Sequence, residues 1–282
     1  MKKGLILEGG AMRGMFTAGV MDVLMEHEVG FDGLVGVSAG AAFGCNYKSK
    51  QPGRVIRYNT RFCADKRYGG LGVLLKTGNI YSTDFAYGEV PLVHDVFDFE
   101  TYEKNPMEFY VVCTDINSGK AVYHKYEGKN DHGFDWIRAS ASMPLVSSVV
   151  EIDGLGLLDG GIADSIPVRF FQSLGYEKNI VVLTRPESYR KGKNELMLLM
   201  KLKYRAYPEL IKTMENRHIV YNETLEYIAA EEGAGRLLVI RPDEELPLSR
   251  IEKDPEKLKG AYEIGRKTTL QRIEEIEKYL GM

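Results

Sequence analysis

The chain reads as an α/β protein with a mostly parallel central sheet, helices on both faces and a mainly helical C-terminal extension. Three observations predict this. Short apolar runs alternate with helix-like segments as far as residue 184, glycine clusters stand where such runs pass into helices, and beyond Arg185-Pro186 the composition shifts. Strands separated by helices pair in parallel, and such sheets bind ligands at the carboxyl ends of their strands.

Taken in order, residues 4–8 form the first strand and lead through a glycine loop into an amphipathic helix over 15–28. The second strand, 33–37, runs straight into the small-residue stretch 39–44, which can start a helix. Residues 66–99, rich in Gly and Tyr and without a clear period, are expected as loops and short helices over the active-site face, with a lid as one hypothesis. Strands follow at 108–114, 121–124, 149–158 and 179–184. Residues 256–280 read as one long charged surface helix with an apolar stripe from Leu258 to Leu280. Residues 1–184 are expected to form the catalytic domain, with 185–282 packed on it as the extension.

The bulk numbers narrow the function. With 282 residues and 44% hydrophobic content, the chain supports one large domain with a proper core, or a main domain and an appendage. A net charge of −3 gives no electrostatic footprint for nucleic acid. The cysteines, Cys45, Cys63 and Cys113, are odd in number and too far apart for a compact zinc motif, so a reducing compartment is expected, with no metal and no cofactor. Met1-Lys2-Lys3 starts like a signal peptide, but the apolar run after it ends within three residues. No segment approaches the roughly 20 apolar residues that span a bilayer. The expectation is a cytoplasmic protein that meets its substrate from the water side; oligomeric state is left open.

Chemistry enters with Gly36-Val37-Ser38-Ala39-Gly40, placed between Leu34-Val35 and a helix start. A serine at a sharp strand-to-helix turn has its hydroxyl pushed out of the sheet, and Gly36 and Gly40 let the two backbones approach. The pentapeptide alone is weak evidence. A second cluster, Glu8-Gly9-Gly10-Ala11-Met12-Arg13-Gly14, reads as strand, tight loop and helix, where backbone N–H groups can converge on an anion. A dinucleotide-phosphate loop is the alternative, but the spacing is not Gly-x-Gly-x-x-Gly and no acidic residue ends a second strand about twenty residues on; an oxyanion hole fits better. The third cluster is Leu157-Leu158-Asp159-Gly160-Gly161. Alone it reads as an Asp-Gly turn; with the other two, Asp159 becomes the best candidate base for Ser38.

The order Gly-Gly-x-x-Arg-Gly, Gly-x-Ser-x-Gly, Asp-Gly-Gly resembles the patatin-like phospholipase family over about residues 4–184. The resemblance implies a three-layer sandwich and hydrolysis of lipid acyl esters by a Ser-Asp dyad. Carried over, it implies Ser38 as nucleophile, Asp159 as its partner, the backbone of Gly9, Gly10 and Ala11 as oxyanion hole, and Arg13 at the basic loop position. The stretch Arg138-Ala139-Ser140-Ala141-Ser142-Met143-Pro144 resembles the Ala-Ser-rich, Pro-ended segment found between the two catalytic residues. Two positions depart: Glu8 replaces the usual Asp, and Ala11 the third loop glycine. An alanine still donates its N–H but resists positive φ.

An aspartate with a reference pKa near 3.9 is a weak base for an alcohol, so other groups must lower the barrier. The helix start after Ser38 favours developing negative charge, and each oxyanion-hole donor is worth roughly 3–4 kcal/mol in other acyl-transfer sites. Acyl-enzyme chemistry without a histidine limb near pH 6.5 is the expectation. Of the five histidines only His218 follows Asp159, in a polar helical stretch where a solvated role is favoured. Residues 185–217 hold nine basic against four acidic side chains around Leu196-Met197-Leu198-Leu199-Met200-Lys201-Leu202. A core-packing helix with a solvated basic face is the favoured account, and peripheral contact with an anionic membrane surface the alternative. The leading function is a lipid acyl hydrolase on phospholipids or related acyl esters. An esterase, thioesterase or acyltransferase of the same fold, or a non-catalytic lipid-binding protein, are the alternatives.

Overall fold

The computed structural model describes residues 1–282. Its strands are β1 (Lys2–Leu7), β2 (Gly33–Val37), β3 (Glu108–Asp115), β4 (Ala121–Lys125), β5 (Val150–Ile152), β6 (Leu155–Asp159), β7 (Tyr176–Val182) and β8 (Leu237–Ile240). They form one sheet in the order β5-β6-β3-β2-β1-β7-β8, with β4 also on β3. The pairs β1–β2, β1–β7, β2–β3 and β7–β8 are parallel, while β4, β5 and β6 pair antiparallel.

Before β3 come α1 (Gly14–Glu26), α2 (Ala39–Lys48), α3 (Arg54–Phe62), α4 (Leu71–Thr77), a π-helical segment over Phe85–His94, and α5 (Phe99–Lys104). After it come α6 (Asp135–Ser140), α7 (Val168–Ser173), α8 (Met197–Lys203), α9 (Pro208–Gly233), α10 (Pro255–Leu270) and α11 (Ile273–Leu280). Alternation along β1 divides the core. Leu5 and Leu7 pack with α1, α2, α3, α6 and α10, whereas Ile6, Val35 and Val37 pack with α7 and α9 on the opposite face. The result is the expected three layers.

Several elements differ from the sequence reading. Residues 149–158 are a hairpin, not one strand: Asp153 and Gly154 both take positive φ, 51° and 79°, in the two-residue turn between β5 and β6. The first helix is not amphipathic in use, since Gly14 to Leu24 are all buried. Its outer face is covered by α10, brought to backbone contact by a glycine on each helix. A Cβ on Gly19 would lie 2.1 Å from the Tyr262 carbonyl oxygen, and one on Gly265 2.1 Å from that of Phe16. The long surface helix over 256–280 is therefore a packed helix, and it breaks between α10 and α11 at Gln271-Arg272. Past residue 184 the chain is mainly helical, but it also supplies β8 to the main sheet.

Strand register fixes where the chemistry falls. β4 covers one edge of β3 from Tyr110 to Thr114. The other edge is shared end to end, with β2 pairing Val37 to Val112 and β6 pairing Asp159 to Cys113. The residue after β2 and the last residue of β6 are thereby brought side by side.

Candidate active site

Ser38 lies between β2 and α2 with φ 55° and ψ −121°, a strained conformation for a residue with a side chain. The turn holds because α2 can lie against β1: a Cβ on Gly40 would be 2.4 Å from the Leu7 carbonyl oxygen, and Gly36 faces the Gly40 backbone equally closely. The hydroxyl of Ser38 donates to Asp159 Oδ2 at 2.7 Å, both residues being buried. The second carboxylate oxygen, Oδ1, accepts the Gly161 N–H at 2.7 Å. Gly160 and Gly161 open a short 3-10 turn after Asp159.

Residues far away in sequence hold the pair in place. Ser38 N–H donates to Ser140 Oγ at 2.8 Å, and Ser140 in turn donates to the Val112 carbonyl at 2.6 Å. Asp159 N–H donates to the Ser142 carbonyl at 2.9 Å, and Thr114 Oγ1 donates to the Asp159 carbonyl at 2.9 Å. The Ala-Ser-rich stretch thus fastens both residues at once. Its composition marks it in the sequence, but the pairing of Ser140 with the Ser38 amide has no local signal.

Burial raises Asp159 above the usual aspartate range, opposed by the Ser38 hydroxyl, the Arg217 guanidinium and the Gly161 N–H. The carboxylate is thereby a stronger base than a solvated aspartate. No histidine bonds to either residue; His218 Nδ1 lies 3.0 Å from the Glu215 carbonyl of its own helix.

Above Ser38 runs the glycine loop. The N–H groups of Gly9, Gly10 and Ala11 take no part in any backbone hydrogen bond. Ala11 adopts φ 48°, so the alanine does take the left-handed conformation that a glycine would take freely, at a cost of about 1–2 kcal/mol. Glu8, at the base of the loop, accepts from Thr184 N–H at 2.6 Å, from Thr184 Oγ1 at 3.0 Å and from the Tyr221 hydroxyl at 2.5 Å. This acid braces the loop against the strand beside it. Gly14 begins α1, against Phe43 and Ala39 of α2. Arg13 is half-buried beside Glu8 and Arg185, and does not point into the cavity at Ser38.

That cavity, about 100 Å³ and open at its mouth, is walled by Met12, Phe43, Tyr87, Val90, Ile137 and Met143 among others. Its one charged lining residue, Arg54, is turned to Asn46 Oδ1 and the Asp95 carbonyl, so the cavity offers an apolar ligand no competing charge. The 66–99 region contributes Tyr68, Tyr81 and Tyr87 to this wall.

An open α/β sheet with a strained serine at a strand end, a carboxylate against it and free N–H groups above belongs to the class of hydrolase-like α/β folds. The particular family follows from sequence: the family described as "Patatin-like phospholipase" matches residues 5–171, and the chain belongs to it. Residues 207–281 match a second description, "Domain of unknown function (DUF6363)". YjjU of Escherichia coli K12, described as uncharacterized, is 27% identical over 93% of this chain and 74% of its own length. Lysophospholipase nte1 of Aspergillus niger is 29% identical over 61% of this chain but only 11% of its own length. VipD from Legionella pneumophila shares the fold, with a TM-score of 0.51 at 13% identity, covering 97% of this chain and 67% of that one.

Proposed function

We propose that the protein is a lipid acyl hydrolase that works through a Ser38-Asp159 dyad and an acyl-enzyme. Family membership supports a lipid hydrolase in general. The observation that carries the finer reading is the 2.7 Å hydrogen bond from Ser38 to a buried carboxylate, beneath three N–H groups that have no backbone partner.

Ser38 Oγ attacks the ester carbonyl carbon while its proton passes to Asp159. The new oxyanion accepts from Gly9, Gly10 and Ala11, and the N-terminal end of α2 adds its dipole. The tetrahedral centre collapses, the bond to the alkoxy oxygen breaks, and Asp159 returns the proton to the leaving alcohol. Water then attacks the acyl-serine along the same route. The acyl chain occupies the apolar cavity beside Ser38.

Approach to lipid is the second part of the reading. Leu198 and Leu202 of α8 are 80% and 69% exposed, and Leu71 and Leu75 of α4 73% and 88%. Residues just past each helix brace the segment that follows Met143 of the cavity: Ile80 N–H donates to the Val146 carbonyl, and Tyr204 Oη accepts from Leu145 N–H. Lys193, Lys201, Lys203 and Arg205 surround the α8 leucines. An apolar patch with basic neighbours beside the cavity suits an anionic lipid surface.

The test is hydrolysis of a lysophospholipid and of a neutral p-nitrophenyl ester by wild type and Ser38→Ala. Loss of at least about a thousandfold in kcat for both substrates is expected. Undiminished hydrolysis by the variant would overturn the reading.

A further inference from the structure

Four cations gather around Glu8 at the base of the glycine loop, and one of them, Arg217, also acts on the dyad carboxylate. Arg13 follows the loop, Arg185 and Lys191 lie in the segment after β7, and Arg217 projects from α9. All four are half-buried, and none lines the acyl cavity. The charged groups acting most strongly on Lys191 are Arg217, Glu8, Arg13 and Arg185, so the cluster shares one neighbourhood.

Its charge is only partly compensated. Arg13, Lys191 and Arg217 form no ion pair, and Arg185 has only the exposed Glu245 at 3.1 Å. Of the two acids beside the group, Glu8 already accepts from Thr184 and Tyr221, and Asp159 from Ser38 and Gly161. Arg13 Nε is buried without a hydrogen-bond partner. Lys191 Nζ rests over the Tyr221 ring at 4.1 Å instead of against a carboxylate. Burial first, then Arg217, with Arg13 and Arg185 behind it and Glu8 opposing, pulls the Lys191 ammonium down to about 7. Guanidinium groups and an ammonium held together in this way are completed by a multivalent anion, and phosphate matches the fork of arginine.

Position says which anion. Arg217 Nε donates to the Gly161 carbonyl, and the Gly161 N–H holds Asp159, so the cluster begins one residue from the dyad. The acyl cavity lies on the α2 and α6 side of Ser38, whereas Arg217 comes from α9 and Lys191 rests on Tyr221 of α9. A phosphate among them would leave a lipid's ester between the two, at Ser38. We propose that Arg13, Arg185, Lys191 and Arg217 form a subsite for the phosphate monoester headgroup of an acyl lipid. This rests on the lipid-hydrolase reading of the site. A choline or ethanolamine headgroup brings a further cation into the cluster and is disfavoured; a phosphate monoester brings two negative charges and no cation. Three of the four cations come from within or beyond the segment after β7, which assigns headgroup selection largely to residues outside the 5–171 match.

The test measures binding to Ser38→Ala protein, so that it does not depend on turnover. Lauroyl glycerol 3-phosphate and monolauroyl glycerol are titrated separately, then again with Lys191→Met or Arg185→Met added, and with inorganic phosphate as competitor. The phosphate-bearing lipid is expected to bind at least tenfold tighter, and each added substitution to remove most of that difference. If Lys191→Met does not fold, Lys191→Arg is expected to keep the preference that Arg185→Met loses. Equal binding of the two lipids by folded protein overturns the subsite. Inorganic phosphate binding without any lipid preference would mark a free-phosphate site and overturn the headgroup assignment. A preserved preference in a wild type that hydrolyses no ester would support the subsite while sinking the hydrolase reading.

Discussion

At the scale of residues, the account turns on how a lone aspartate serves as base. Asp159 is raised by burial, and its ionised form is the one that accepts the Ser38 proton. Activity on a neutral ester should therefore fall as pH is lowered through a limb above the ordinary aspartate range, with no limb assignable to a histidine. Arg217 holds that pKa down, so Arg217→Met should move the acid limb upward and Arg217→Lys should largely keep it in place; kcat/KM against pH checks both. An unmoved limb in Arg217→Met would separate Arg217 from the dyad. Ser38, Asp159 and the glycine loop were legible in the sequence because a strained turn and a tight loop need small residues at fixed spacing. The bond from the Ser38 amide to Ser140 and the parts of Thr114, Arg217 and Lys191 were not, because each reaches the site only once strands and helices remote in sequence are packed together.

At the scale of elements, the α1–α10 crossing shows why periodicity misread the first helix. A helix buried on all sides has no polar face to report, and its cover comes from about 240 residues later in the chain, as the Tyr262–Asp22 hydrogen bond illustrates. The crossing makes a sharp prediction. Gly265→Ala would drive a methyl group into the Phe16 carbonyl and should cost about 3 kcal/mol, whereas Gly260→Ala, with nothing within 4 Å on the same helix, should gain about 0.5–1 kcal/mol. Chemical denaturation of the two variants checks this, and equal effects would contradict the packing described. α8 carries the second prediction at this scale. Leu198→Ser with Leu202→Ser should weaken sedimentation with anionic vesicles several-fold and leave labelling of Ser38 in solution intact, since neither side chain touches the dyad. The expected sheet and its parallel centre were legible from apolar runs, but β8, only four residues long, gives too short a run to stand out from the helices on either side.

At the scale of the whole molecule, two helical layers meet at one serine. The α2, α3 and α6 side walls an apolar cavity, Arg217 of α9 reaches the Gly161 carbonyl from the other side, and the sheet between them sets Ser38 against Asp159 through a shared edge of β3. No helix is long and apolar enough to cross a membrane, and Leu71 and Leu75 of α4 and Leu198 and Leu202 of α8 stand exposed. The central claim is that this architecture activates Ser38 as a nucleophile. It is tested most directly by reacting the folded protein with a fluorophosphonate ester and reading the product by intact mass and peptide mapping, beside Ser38→Ala and Asp159→Asn. The account predicts one adduct on Ser38, none in Ser38→Ala, and labelling slowed at least about a hundredfold in Asp159→Asn. An unlabelled Ser38 in folded wild type, or labelling indifferent to Asp159, would contradict it.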